Sequence, residues 1–427
     1  MRRARASVAA EFCGVDSPMR FLKPVPDPVR PTYIRLLAYG LLRSPGQALM
    51  VGLASLIAVK SLAAPPWEVA ILAASLPFGN LLAIFWSKWI ARSSNKIAYA
   101  FWPEIASSIV LFLPAFANNS HTFTGGLCVF LLLRAPIVQA HSAILRANYP
   151  AKWRSWLLAR VLAMSEMLMA GAGLAFGLLL ELDPMLFRAL FPVAGTCGLV
   201  GAFQVGAIRL HGETTANQTN ALSPEYSLPR ILGVLRHDHR FLRYEIAFFL
   251  FGFANIMTLP IIPLFLEHDL GIRYLDAGLI LVTLPMVLDI LMLPFWGRTL
   301  DRQNPLLMRA IFNVIFAFGI LTYSVAISLQ VFATGRMIVA FVQGGSVLVW
   351  VLGINYFGIR GVIAPFVGIT LAALLGGYRP VFFVAFVLMN VGTLVMIGEV
   401  RSELRRTGGR LPSYAQAERD IDTRFSA

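Results

Sequence analysis

The 427-residue chain is 57% hydrophobic and only 14% charged, where soluble domains are about 45–50% apolar and about 25% charged. Its apolar residues gather in runs of about 20, which excludes an ordinary soluble domain and reads as a polytopic membrane protein. The net charge of +14 is scattered over short loops between those runs, so it expresses a positive-inside bias and not a nucleic-acid-binding face.

In chain order, residues 1–35 read as a cytoplasmic tail. Six apolar segments follow at 36–60, 69–90, 98–116, 123–144, 157–180 and 186–208, forming an N-terminal bundle over 36–208. A polar central loop, 209–239, contains Leu228, Ile231, Leu232 and Leu235 at the spacing of one helical face, with Arg230 and Arg236 alongside. It reads either as an amphipathic helix on the membrane surface or as a plain linker. Six more segments lie at 241–266, 277–296, 306–327, 337–357, 358–375 and 381–397, within a second bundle over 240–399, and residues 400–427 form an arginine-rich tail. Each span must satisfy its own backbone in lipid, so all are expected to be helices.

An even number of spans puts both termini on one side. Lys88, Arg92, Lys96, Arg146, Lys152, Arg154, Arg298, Arg302 and Arg309 share that side, whereas Lys60, Arg188, Arg273, Arg336 and Arg379 face the other. The bias assigns the termini to the cytoplasm. Cys13, Cys128 and Cys197 have neither disulfide nor zinc-like spacing, and His237-Asp238-His239 offers too few ligands for a metal. With no nucleophile elbow, phosphate loop or H-E-x-x-H, neither an enzyme nor a cofactor is expected.

The second segment of each half ends in a comparable loop. In the second half it reads Gly297-Arg298-Thr299-Leu300-Asp301-Arg302; in the first it is Ser87-Lys88-Trp89-Ile90-Ala91-Arg92, followed by Lys96. Asn148-Tyr149 after the fourth segment is matched by Asn355-Tyr356 at the tenth. Two six-segment halves with matching loops point to an internal duplication.

In this topology and in the loop G-x-x-x-D-R, the chain resembles the major facilitator superfamily of secondary transporters. The second copy keeps Gly297, Asp301 and Arg302 and departs at Asn304 and Pro305; the first keeps Arg92 and Lys96. The resemblance implies an all-α membrane protein of twelve transmembrane helices in two six-helix pseudo-repeats, rocking about a central site. It also implies that the loops brace an inner gate, Asp301 near Arg154 at the start of helix 5 and Ala91 near Arg360. The glycine-rich helix-5 pattern with a central proline, a mark of antiporters, is absent: Gly171, Gly173 and Gly177 occur without it.

A charge within a span costs at least about 2.5–3.5 kcal/mol on insertion scales, so each calls for a reason. Arg134 and Glu166 lie near mid-span on consecutive segments and are expected to pair. Such a pair either holds an anionic group and a proton or pins two helices. Arg43 precedes Gln47 by one turn near the cavity entrance, and Asp289 lies toward the cytoplasmic part of helix 8. Gln139, Asn255 and Gln343 are further polar candidates. Under the family arrangement Glu104 faces away from the cavity and serves helix packing, and Glu245 reaches water from the end of its helix. The expected function is transport of a small organic solute across the cytoplasmic membrane, coupled to protons, by a lipid-embedded monomer. A transport-inactive scaffold or sensor, or an uncoupled facilitator, is the alternative.

Overall fold

The computed structural model describes residues 29–82, 89–90, 95–149, 151–210, 239–350 and 357–409, with Val25, Asp27, Trp86, Ser93 and Leu411. The expected central amphipathic stretch, the first-loop residues Ser87, Ala91 and Arg92, and Asn355-Tyr356 lie outside the described residues, as do the side chains of Arg154 and Asp301. Among the described residues all regular structure is helical. The first half holds α1 (Arg30–Lys60), α2 (Pro66–Leu81), α3 (Ala98–Phe116), α4 (Ser120–Asn148), α5 (Ala151–Leu182) and α6 (Phe187–Gly206). In the second, α7 spans His239–His268 and α8 runs from Tyr274–Ala277 through a π-turn at Gly278–Thr283 to Leu284–Arg302. They are followed by α9 (Pro305–Ser324), α10 (Leu329–Trp350), α11 (Phe357–Leu374) and α12 (Arg379–Arg406). Over the described residues nine helices are long and apolar enough to cross a bilayer, and α11 is apolar but shorter.

Local chemistry sets the helix starts. Asn119 caps α4 by accepting from the Thr122 amide at 2.8 Å. Asn304 caps α9 by accepting from Leu306 N at 2.9 Å and Leu307 N at 3.3 Å, and Pro305 occupies the first turn, where its missing N–H costs nothing. The two positions where the loop departs from G-x-x-x-D-R-x-G-R-K are therefore a helix start.

The duplication is written in the packing. α1 packs on α5 and α6, α2 on α4, and α3 on α4 and α6; adding six to every number gives the pairings α7 on α11 and α12, α8 on α10, and α9 on α10 and α12. Across the halves, α2 meets α11 and α5 meets α8, the same relation read in both directions. Hydrogen bonds fix which helix ends share a face. Asn148 donates to Thr32 Oγ1 at 2.9 Å and to the Arg209 carbonyl at 2.8 Å, and Arg240 pairs with Glu403 at 3.0 Å, so these ends lie on the face that carries the termini. At the opposite, distal face Lys60 Nζ meets Glu267 Oε2 at 2.8 Å, joining the ends of α1 and α7. This pair is half-buried, and Glu267→Gln is expected to destabilise the fold by about 1 kcal/mol or less. Thermal unfolding of the purified variant checks this; a loss well beyond that would make the pair a main clasp.

Hydrophobicity does not drive helices together in lipid, so the halves must meet through close packing. At the distal seam they do. Gly173 and Gly177 of α5 lie against Gly278 of α8, where a Cβ on Gly177 would sit 2.8 Å from the Tyr274 carbonyl and one on Gly278 would strike the Gly173 carbonyl. Gly52, in the π-turn of α1 (Leu49–Leu53), abuts Leu281 and Val282. Thr283 Oγ1 donates to the Ala170 carbonyl at 2.8 Å, and the Leu275 amide to Glu181 at 3.4 Å. At Gly297 a Cβ would meet nothing within 4 Å among the described residues. Among the described residues it provides no close helix approach in this conformation; the tight glycine contacts of α5 with α8 lie at the distal end, and where α11 meets α2 a Cβ on Gly361 would strike Pro77.

Candidate functional site

The buried charges of the first half form one network. Tyr39, on α1, donates through Oη to Glu104 Oε2 at 2.9 Å; Arg134, on α4, donates through Nη1 to Glu104 Oε1 at 3.3 Å. Glu104 is 1% exposed and Arg134 9%. Arg134 also lies over the Phe130 ring at 5.3 Å. Arg43, one turn beyond Tyr39, reaches the tyrosine oxygen at 3.5 Å and lies 5.9 Å from its ring centroid. His141 meets the same ring edge-on at 4.8 Å.

The expected Arg134–Glu166 pair is replaced by Arg134–Glu104. α4 packs along α3 and touches α5 little, so the arginine meets the carboxylate of its neighbour. Sequence position gives depth in the membrane but not the face of the helix. Glu104 does join helices, as a packing residue, yet it also neutralises the arginine expected to bind an anion.

Glu166 on α5 is half-buried and lies within electrostatic range of Asp289 on α8, across the seam between the halves. Asp289 is buried against Gly344 of α10, where a Cβ would strike its Oδ1, and that oxygen has no hydrogen-bond partner among the described residues. Gln47, Gln139, Asn255 and Gln343 are all half-buried. At the loops, Arg302 is exposed and Lys96 half-buried.

Arg360 and Glu245 lie close together at α11 and α7. Arg360 is 2% exposed and turned into its own half, donating to the Phe248 carbonyl at 2.6 Å with its guanidinium 4.4 Å from that ring centroid. Glu245 is 9% exposed, with its Oε1 buried and without a hydrogen-bond partner among the described residues. Arg309, 5% exposed, lies over Phe248 at 5.1 Å and donates to Ser346 Oγ at 2.9 Å. Among the described residues the second half thus buries two arginines, Arg309 and Arg360, with the acids Glu245, Asp289 and Glu399. Sequence reading missed Tyr39 and the Arg309–Arg360 cluster. The Gly173 and Gly177 seam had a readable signal, small residues one turn apart.

A duplicated helical scaffold with buried charges in each half and a glycine-tight seam defines an integral membrane protein built to hold polar groups within the bilayer. The Major Facilitator Superfamily profile matches residues 36–361, and the chain belongs to that family of secondary transporters. Among solved structures, a variant of the nucleoside transporter NupG is 14% identical with a TM-score of 0.61, covering 86% of this chain and 99% of that one. A bacterial homolog of the human lysosomal transporter Spinster, inward-facing and unoccupied, is 13% identical with a TM-score of 0.62, covering 89% and 99%. The E. coli fucose:proton symporter FucP is 13% identical with a TM-score of 0.57, covering 87% and 99%. At such identities the likeness establishes the fold. Among curated protein sequences no relative matches the chain.

Proposed function

We propose that this protein carries a small organic solute across the cytoplasmic membrane by alternating access, driven by a proton gradient. The rocking units are the bundles over residues 36–208 and 240–399, and both termini lie in the cytoplasm. The observation that carries the reading is the α5–α8 side of the seam: the two repeats meet there through backbone-close glycines at the distal face, while among the described residues a Cβ on Gly297, at the other end of α8, would meet nothing within 4 Å. With the termini cytoplasmic, such a conformation is closed outside and corresponds to the inward-facing side of the cycle. In this reading Asp301 braces the inner gate when that gate closes. FucP and a D-xylose–proton symporter are proton-coupled by name, which supports the same coupling here.

Glu166 and Asp289 are the proton carriers in this reading. They lie on α5 and α8, the two helices that meet across the seam that must part and reclose. Protonation then permits closure and ionisation favours opening. In proteoliposomes an imposed inward proton gradient is expected to accumulate solute through the wild-type chain. Glu166→Gln and Asp289→Asn are expected to abolish that accumulation while leaving solute-for-solute exchange. Gradient-driven accumulation through both variants would remove the two acids from coupling.

A further inference from the structure

We infer that the solute is a small organic monoanion, a carboxylate, held by Arg43 on α1 and the neighbouring His141 on α4. The inference rests on the transport reading above and specifies its substrate class. Charge and hydrogen-bond bookkeeping at the first-half network leads to it.

Each oxygen of Glu104 already has a donor, Oε1 from Arg134 and Oε2 from Tyr39. Arg134 is therefore neutralised and fully committed to the bundle. Arg43 is not. Its hydrogen bond is a long one, 3.5 Å to the Tyr39 oxygen, which itself donates to Glu104. Arg43 Nε is buried without an acceptor, and so is His141 Nε2. Both side chains flank the same tyrosine ring, so two unsatisfied nitrogens border one small region of the first half. Buried donors without acceptors are costly and call for a missing partner.

The acids that face this region do not supply one. Glu104 is engaged, and Glu166, on the helix packed against α1, is the proton carrier of the reading above and is neutral when it holds that proton. Two guanidinium groups against one carboxylate leave one excess positive charge. One excess charge matches one negative charge, which favours a monocarboxylate over the dianion of a phosphate monoester. The guanidinium fork fits a carboxylate through two parallel hydrogen bonds. Half-buried Gln47, one turn further along α1, is placed to take the polar part of the solute.

The test is a thermal-shift and uptake comparison on the purified full chain with four probe classes. These are monocarboxylates (lactate, benzoate, gluconate), a phosphate monoester (glycerol phosphate), neutral solutes (uridine, fucose) and an amine (choline). Stabilisation and uptake confined to monocarboxylates are expected. Arg43→Gln should weaken the response roughly 10- to 100-fold, the loss of a charge-assisted pair. Arg43→Lys should keep the charge, lose the fork and fall between the two, which covers the case in which the glutamine variant folds poorly. A preference for glycerol phosphate would overturn the monoanion assignment. Uptake of a neutral or cationic solute, unchanged in Arg43→Gln, would overturn the anion site and leave the transport reading intact. No flux of any probe class with folded protein would overturn both.

Discussion

Replacing Gly278 by valine is expected to hold the distal mouth open and to lower solute flux about tenfold or more. A side chain there would meet the Gly173 carbonyl and, at 3.1 Å, the Gly177 Cα. Both are backbone atoms of α5, so no rotamer change relieves the clash. Overpacking of this kind costs about 1–3 kcal/mol, and a shift of that size moves a two-state equilibrium by roughly 5- to 150-fold. The readout is labelling of a cysteine placed at Leu281, buried in the seam, by a membrane-impermeant reagent in a background without the native cysteines. Faster labelling in Gly278→Val than in the parent supports the seam as a gate; equal labelling contradicts it. Gly171→Ala is the control, since a Cβ there meets nothing within 4 Å. It should leave labelling and flux unchanged and stabilise the helix by about 0.5–1 kcal/mol.

Glu104→Leu is expected to destabilise the protein by about 3–5 kcal/mol, because it leaves the buried Arg134 guanidinium without its counter-charge. Thermal inactivation of purified protein reports this as a shortened half-life, the fitting measure where unfolding is irreversible. Tyr39→Phe removes one hydrogen bond to the carboxylate and should cost about 1.5–3 kcal/mol. The decisive comparison is the double variant Glu104→Leu with Arg134→Met. Removing both charges should recover most of the loss, since a buried pair replaced by apolar groups is often neutral or better. A double variant as unstable as the single one would mean that Arg134 contributes something other than a neutralised brace.

These cases also mark what the sequence could and could not tell. Helix interiors were legible because apolar length is set by bilayer thickness. Helix ends were not. α12 was expected to stop at residue 397 and continues to Arg406, where Glu399 and Glu403 pair with Arg243 and Arg240 of α7. Ion pairs with a neighbouring helix extend a helix past the apolar slab, and no hydropathy profile contains them. The duplication was legible through matching loops, and the repeated pairings of α1–α6 and α7–α12 bear it out.

For the site, the identity of the buried charges was legible and their partners were not. Arg134 was matched to Glu166 by depth, when the packing of α3 on α4 gives it Glu104. Arg360 was assigned to a loop brace because it lies near a helix start, yet it is folded back onto Phe248. Azimuth around a helix depends on which neighbour it packs against, and that is a property of the assembled bundle. Gly173 and Gly177 were noted for the proline missing between them; their own spacing was the signal.

Rocking of the two halves about the membrane centre closes one face as the other opens. Distances between spin labels test it most directly, with one pair at Leu182 and Leu374 on the distal face and one at Arg209 and Arg298 on the face of the termini, all four positions being exposed. In lipid two populations are expected for each pair, shifting in opposite senses when a transported solute or a lower pH is applied. Single, unmoving distances at both faces, with folded protein and solute present, would contradict it.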